Sequence, residues 1–109
     1  MPISIISKKV IKPLYPRIAM INYTNELSDN AKTFNGFLVS NSYWKFPIDK
    51  YDHDLTIISI SQWKDIKYWN KWYKSKERDN IYKKNSHIIK SEEFSILVKK
   101  IQNDDLFLL

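Results

Sequence analysis

Three tryptophans that lie close together in the sequence are the residues with the most obvious chemical capacity. Trp63, Trp69 and Trp72 fall within ten positions, and lysines are interspersed among them. Indole rings can pack in a hydrophobic core, wall a pocket for an aromatic ligand, or stack on the bases of a nucleic acid. The choice between these roles depends on the elements that carry the rings.

The segment that contains Trp69 and Trp72 has the spacing of an amphipathic helix. At about 100° per residue, Ile66, both tryptophans and Tyr73 fall within an arc of roughly 120°. Lysines occupy the opposite side of this helix. The aromatic stripe is therefore predicted to face the core, which is the commonest role of such a stripe. Because bulky rings between a helix and a sheet tend to leave a crevice, it also predicts an apolar pocket for a small molecule.

Other residue types with chemical potential give weaker signals. The sequence has no cysteine, which excludes disulfides and cysteine-ligated metals, and its single glycine excludes a glycine-rich phosphate loop. His87 stands far from His53 and lacks metal-ligand spacing. Asp49, Asp52, His53 and Asp54 could bind a cation, but a solvated loop is the simpler interpretation because nothing fixes the carboxylates. We therefore expect no metal site.

The charge of the chain is basic, with 18 lysines and arginines against 12 acidic residues and a net charge of +6. Such a balance favours nucleic acid or an anionic membrane as a partner. All basic residues except Arg17 and Arg78 are lysines, however, and isoleucine and asparagine are abundant, as in proteins from AT-rich genomes. Groove-reading proteins depend on arginine. We interpret the lysines as solvated and expect neither a nucleic acid nor a membrane partner.

The start of the sequence and its longest apolar runs indicate the cellular compartment in which the protein is expected. The first apolar stretch is too short for a signal peptide and lacks a small-residue cleavage site. No run approaches the ~18 apolar residues of a membrane span. Together with the absence of cysteine, these features predict a soluble cytoplasmic protein.

Hydrophobic periodicity and turn residues divide the chain into strands and helices. The predicted strands cover 3–11, 36–46, 55–62 and 93–101, and the predicted helices cover 14–31, 65–74 and 75–84. Pro16 is expected in the first turn of the first helix, where its missing N–H has no partner to lose. Asp65 and Ser75 are expected N-caps, and Gly36 is expected at positive φ. The order β-α-β-β-α-β predicts an α+β protein with a ferredoxin-like, antiparallel four-stranded sheet.

Both faces of the predicted sheet are apolar. Leu55 and Ile57 point to one face while Ile58 and Ile60 point to the other, and the last strand alternates in the same way. A sheet that is apolar on both faces is covered on both faces, but two helices cover only one. We therefore expect a twofold homodimer in which the second faces pack together.

The whole pattern resembles the antibiotic biosynthesis monooxygenase (ABM) domains, a branch of the dimeric α+β barrels. The resemblance rests on Asn35-Gly36-Phe37, on the strand segment 57–63 that ends in Trp63, on the helical pair Trp69 and Trp72, and on Tyr73-Lys74-Ser75 with Arg78. It extends over nearly the whole chain. We assign 1–102 to an ABM-like domain and 103–109 to an apolar C-terminal tail expected at the dimer interface.

The resemblance implies a homodimer with a pocket between sheet and helices in each protomer. It implies a monooxygenase that oxidises a small aromatic or quinone-like molecule without a cofactor. On this basis the expected catalytic residues are Trp63, Ser59 and Tyr82. The expected substrate-pocket residues are Trp69, Trp72, Ser61 and Tyr73.

The motif residues also leave an alternative open. The family's polyketide oxygenases carry an Asn and a Tyr where this sequence has Ser59 and Trp69. In its haem-degrading members, Trp72 matches the helical Trp, but Tyr82 occupies the position of the haem-ligating His and Ser7 stands near that of an Asn. The alternative is a non-catalytic dimer that binds a small ligand or haem, with haem disfavoured.

A third interpretation is an RNA-recognition module, which has the same element order. Such modules carry aromatic residues on the third strand within a basic-Gly-aromatic signature. The third strand here, LTIISISQ, has neither glycine nor aromatic residues. The sequence therefore favours a small-molecule site over an RNA-binding surface.

Overall fold

The structure, a computed structural model, describes residues 2–48 and 54–98. The strands are β1 (Ile3–Ile11), β2 (Phe37–Lys45), β3 (Leu55–Trp63) and β4 (Ile89–Leu97). The helices are α1 (Arg17–Ala31), α2 (Ile66–Tyr73) and α3 (Lys76–Asn85), and a 3-10 turn, Ser86–Ile88, leads into β4.

The strands form one sheet in the order β2-β3-β1-β4, with every neighbouring pair antiparallel. This arrangement is the predicted ferredoxin-like α+β fold, which is confirmed. Since β3 lies between β1 and β2, the connection through α1 crosses the sheet and places the helix over its strands. The β2–β3 hairpin and the α2–α3 connection complete the βαββαβ order.

The predicted helix starts are confirmed for the second half of the chain. The Asp65 side chain accepts a hydrogen bond from the backbone N–H of Lys67 (3.1 Å), and the Ser75 hydroxyl accepts one from that of Arg78 (3.2 Å). Each cap satisfies a backbone donor that the first helical turn leaves free. The break between α2 and α3 therefore falls at Ser75, as predicted.

The boundaries of α1 and β4 differ from the prediction. Pro16 is the N-cap of α1 rather than part of its first turn, and Leu14 lies outside the helix with 95% of its surface exposed. Strand β4 begins at Ile89, four residues before the predicted start at 93. The error arose because Glu92 and Glu93 look like an exposed strand start, whereas the Glu92 side chain is almost completely buried.

The core lies between one face of the sheet and the helices. Alternate residues of β1 and β3 point to it, so that Ile5, Ile11, Ile57 and Trp63 are buried. Helix α1 adds a buried stripe at steps of three and four: Met20, Tyr23, Leu27 and Ala31. From α2, Trp72 is buried and Trp69 and Tyr73 are half-buried. Ile66 was predicted on the same face but is exposed, because it occupies the first position of the helix, at the edge of the contact.

The other face of the sheet carries Ile6, Ile58 and Ile60, all of which are partly exposed in the single chain. Ile6 is paired with Ile60, and Ile58 with Tyr43, in neighbouring strands. Over half of the Tyr43 surface is exposed. The prediction that apolar residues occupy both faces is met by these positions, and dimerisation through the second face stays a prediction.

Some expectations concern residues that the structure does not describe. The tail 103–109, the boundary at 102, and Asp49, Asp52 and His53 of the candidate cation cluster lie outside the described residues. Within residues 2–48 and 54–98, no helix is long and apolar enough to cross a membrane.

Candidate functional site

A cavity lies between the sheet and helices α1 and α2, and its walls combine indole rings with hydroxyl groups. It is lined by Ile5, Ser7, Lys9, Thr24, Leu27, Ser28, Ala31, Phe37, Ser40, Ser42, Ser59, Ser61, Trp63, Trp69, Trp72 and Phe94. All three tryptophans of the sequence cluster belong to this wall. They lie between the sheet and the helices. An RNA-recognition module instead presents its aromatic residues on the open face of the sheet.

A row of serines forms the floor of the cavity. Ser40 is paired with Ser61, Ser42 with Ser59, and Ser59 also with Ser7, so the row runs across β2, β3 and β1. The hydroxyls of Ser42 and Ser59 lie 2.7 Å apart and share a hydrogen bond. Small side chains at these positions create the space under the tryptophans, and their hydroxyls can orient a polar substituent of a ligand.

Trp63 and Trp72 form the inner wall of the cavity. Their rings stack with centroids 5.9 Å apart, and both indole N–H groups have partners, as buried indoles require. Trp63 donates to the Ser61 hydroxyl (3.1 Å), and Trp72 donates to the side-chain oxygen of Asn30 (2.9 Å). These contacts fix both rings, so the inner wall is rigid.

Trp69 stands at the outer edge of the cavity. Its ring stacks on Tyr73 (4.7 Å) and contacts Phe94 (5.9 Å). Beyond it, a groove of about 320 Å³ is lined by Ile5, Ile66, Trp69, Phe94, Ser95 and Ile96. The groove is mainly apolar and lies beside the cavity, with which it shares Ile5, Trp69 and Phe94.

The two spaces differ in size. The volume of the inner cavity open to the centre of a water molecule is about 40 Å³, which is enough for a few waters since each needs about 10–15 Å³. The outer groove, at about 320 Å³, has the volume that an aromatic ring requires. A substituent the size of one oxygen fits the inner cavity.

Lys9 brings an amine into this apolar site. Only 3% of the residue is exposed, and its Nζ donates a hydrogen bond to the Ser7 hydroxyl at 2.7 Å. Burial lowers the pKa of this ammonium from 10.5 to about 8, although the nearby carboxylate of Glu92 acts in the opposite direction. A group with such a pKa can hold or accept a proton near neutral pH.

A buried polar network lies next to Lys9. Glu92 accepts hydrogen bonds from Arg78 (2.9 Å) and from the Tyr23 hydroxyl (2.7 Å). Burial first, and then the charge of Glu92, raises the pKa of Tyr23, so this phenol stays protonated. The Arg78 guanidinium lies 4.2 Å from the ring centroid of Tyr73.

The structure brings together most of the predicted site residues. Trp63, Ser59, Ser61, Trp69 and Trp72 line the same cavity. Tyr82 and Tyr73 instead line a second cavity, which contains Arg78 and Glu92 and shares Phe94 with the first. The structure therefore separates Tyr82 from Trp63 and Ser59, with which it was grouped.

Sequence reasoning missed Lys9, Thr24 and the serines of β2. Lys9 had an available signal, because it alternates with Ile5, Ser7 and Ile11 on the buried face of β1. Thr24 lies one position after Tyr23 in α1, and its buried hydroxyl has no hydrogen-bond partner within the described residues. Ser40 and Ser42 required the β2–β3 register to be known.

The sequence of the chain matches no protein-family model and no curated protein. Its structure, in contrast, is similar to solved structures over most of its length. A single-residue variant of SnoaB, a cofactor-independent oxygenase from Streptomyces nogalater, superimposes with a TM-score of 0.73 at 8% identity, over 93% of this chain and 95% of the SnoaB chain. A conserved protein from Methanosarcina mazei gives 0.69 at 22% identity (92% and 94%). A protein described as an antibiotic biosynthesis monooxygenase gives 0.67 at 13% identity (93% and 100%).

Proposed function

The chain has the ferredoxin-like α+β fold of the antibiotic biosynthesis monooxygenases, and on this premise we propose that it is a monooxygenase for a small aromatic or quinone-like molecule. The observation that carries the proposal is the cavity in which three tryptophans lie over a row of serines, next to an apolar groove. The rings supply a surface for a flat substrate, and the hydroxyls supply donors for its oxygens.

Oxidation without a cofactor requires a substrate whose anion passes an electron to O₂. A methylene ketone such as anthrone loses a proton to give an enolate, which reduces O₂ to superoxide. Recombination forms a C–O bond, protonation gives a hydroperoxide, and loss of water leaves a new carbonyl group. The balance is one CH₂ and one O₂ giving one C=O and one H₂O, so no external reductant is consumed.

In this proposal the protein orients the substrate and excludes water. Ser59 and Ser61 hydrogen-bond to the oxygen that becomes anionic, and buried donors stabilise developing charge more strongly than exposed ones. Trp63 holds Ser61 in place through its indole N–H, while Trp69 and Trp72 contact the substrate ring. Tyr73 acts through Trp69, on which it stacks. Tyr82 lines the neighbouring cavity. Its role in this proposal is to support Arg78, whose guanidinium carbon lies 5.7 Å from the centroid of the Tyr82 ring.

An alternative function is non-catalytic binding of a small apolar ligand. It is favoured by Ser59 and Trp69, which replace the Asn and Tyr of the polyketide oxygenases, and by the narrowness of the inner cavity. Haem fits the site less well, because Tyr82 at the ligand position lines a different cavity from Trp72. We propose no cofactor, a homodimer formed through the second sheet face, and a cytoplasmic location.

The function is tested by following O₂ uptake with anthrone and with a simple hydroquinone. We expect uptake that depends on the protein and falls about tenfold or more in Trp69→Ala, which removes a half-buried ring at the mouth of the cavity. Trp44→Ala is the matched control, since Trp44 is also partly buried but does not line the cavity. No uptake with any substrate, together with quenching of tryptophan fluorescence that is reduced in Trp69→Ala, would support the binding alternative.

A further inference from the structure

The ammonium group of Lys9 lies in the inner cavity without a carboxylate partner. Its one hydrogen bond within the described residues goes to Ser7, and no carboxylate in residues 2–48 or 54–98 lies within ion-pair distance of it. The carboxylate that acts on the charge of Lys9 is that of Glu92. Its two oxygens accept hydrogen bonds from Arg78 and Tyr23. A buried cation without a partner is costly unless a bound anion completes the site.

The rest of the inner cavity is suited to an anionic oxygen. No acidic side chain belongs to its lining. The Thr24 hydroxyl, which also lines it, is buried and has no partner in the described part of the chain. Lys9, Thr24 and Ser7 therefore offer donors around a space of about 40 Å³, which has room for a small polar substituent.

The distance along the strand matches the size of one aromatic ring. Ile5 belongs to both the outer groove and the inner cavity, and Ser7 is two residues further along β1, or about 7 Å. A hydroxylated ring resting against Trp69 and Phe94 spans that distance. Its oxygen would then point toward Ser7 and Lys9, beside Ser59, which is the neighbour of Ser7 in β3.

We propose that Lys9 accepts the proton of an acidic hydroxyaromatic ligand, a phenol or the enol form of an aromatic ketone, and pairs with the resulting anion. The proposal rests on the proposed function in one respect, namely that an aromatic molecule enters this site. The ligand O–H bond breaks and an N–H bond forms on Nζ, so the product is an ammonium–phenolate pair. Such an anion is the electron-rich species that a reaction with O₂ requires.

The charged surroundings of Lys9 are compatible with this role. Glu92 from β4 and Arg78 from α3 act on its pKa in opposite directions, and Tyr23 from α1 donates its hydroxyl to Glu92. Arg78 and Glu92 offset each other, and Tyr23 stays neutral. With a pKa of about 8, a fraction of the amine is neutral at pH 7 and can accept a proton.

The test uses 4-nitrophenol, whose phenolate absorbs visible light, and nitrobenzene, which has the same ring and nitro group but no hydroxyl. At a pH below the pKa of free 4-nitrophenol, we expect the wild-type protein to bind it as phenolate. Lys9→Met should abolish the phenolate band and weaken nitrophenol binding by about tenfold or more, as loss of a charge-assisted contact predicts. Nitrobenzene binding should be unchanged. Lys12→Met, which removes an exposed lysine, is the matched control and should behave as the wild type.

The outcomes separate the two proposals. If neither compound binds to the wild type, the aromatic site itself is wrong. If both bind, but nitrophenol stays protonated or binds Lys9→Met equally well, only the role of Lys9 is overturned. Should Lys9→Met fail to fold, NMR of lysine-labelled wild type gives the answer. Nitrophenol must then shift the titration of Lys9 to higher pH while nitrobenzene leaves it unchanged, and the absence of that difference overturns the proposal.

Discussion

Arg78 and Glu92 form a salt bridge of 2.9 Å whose side chains are only 11% and 6% exposed. The bridge joins α3 to β4, and the hydrogen bond from Tyr23 to the second carboxylate oxygen adds α1. The polar network thus connects three elements at the base of the core. Its position beside Lys9 makes it part of the electrostatic surroundings of the candidate site.

Glu92→Gln should destabilise the protein strongly. Removing one partner of a buried ion pair leaves the other charge uncompensated, which typically costs about 3 kcal/mol. Unfolding by urea, followed by circular dichroism, measures this change. Glu93→Gln is the matched control, because Glu93 is exposed, and its effect should stay below about 0.5 kcal/mol. Equal stabilities of the two variants would contradict a structural role for the bridge.

Glu92 also illustrates what the sequence could and could not reveal. Local signals correctly predicted the element order, the caps at Asp65 and Ser75, and the aromatic stripe of α2, because each depends on neighbours within a few residues. Glu92 was missed because its burial depends on helices distant in sequence, and Lys9 was missed although it alternates with Ser7 and Ile11 on the buried face of β1. Glu92 and Lys9 are opposite each other in the β1–β4 register, and charge alone suggested exposure for both.

The sequence also predicted only part of the grouping of the candidate site residues. Trp63, Ser59 and Ser61 alternate along one strand, so their common face could be predicted from periodicity. The position of Tyr82 depends on the angle between α2 and α3 at Ser75, which no local pattern specifies. The size of the inner cavity likewise depends on how closely the rings pack.

The buried amine of Lys9 should make stability depend on pH. Its folded pKa of about 8 lies below the unfolded value of 10.5, so the unfolded chain binds more protons between these pH values. The stability of the wild type therefore rises with pH across that window. Below pH 8 the burial of the charge costs up to about 3 kcal/mol, and Lys9→Met should be more stable by an amount of that order.

The measurement is the difference in unfolding free energy between wild type and Lys9→Met from pH 7 to 10. The difference should shrink as the pH rises through the window. Tyr23 acts in the opposite direction above pH 10, because its raised pKa keeps the folded phenol protonated while the unfolded one ionises. Both proteins contain Tyr23, so its contribution cancels to first order. A difference that does not change with pH would show that the amine is solvated.

Gly36 shapes the turn that precedes β2. Its φ is +87°, and a Cβ at this position would overlap the Tyr68 ring. The Gly36 carbonyl also accepts a hydrogen bond from Lys64 N–H at 2.8 Å, next to Trp63. Gly36→Ala should therefore destabilise the protein by about 2 kcal/mol or more, from strain in the left-handed region and from the overlap.

A double-mutant cycle with Tyr68→Gly separates the two causes, with stability measured by urea unfolding. In the Tyr68→Gly background both the ring and the Cβ, which would lie 2.5 Å from the added Cβ, are gone, so Gly36→Ala should cost only about 1 kcal/mol. The same cost in both backgrounds would mean that the ring moves aside freely and that the backbone conformation alone requires glycine.

The last prediction concerns the apolar face of the sheet that points away from the helices. Tyr43 lies there beside Ile58, and Ile18 lies on α1. Both are 55% exposed in the single chain, so they form a matched pair. If the face is a dimer interface, a charge introduced at Tyr43 is buried without a partner on association, which is strongly unfavourable.

Sedimentation of the wild type should give twice the mass of one chain at micromolar concentration. Tyr43→Asp should shift the equilibrium to the monomer by at least about tenfold, and Ile18→Asp should leave it unchanged. A wild type that sediments as a single chain would remove the interface, and dissociation by both variants would place the contact elsewhere.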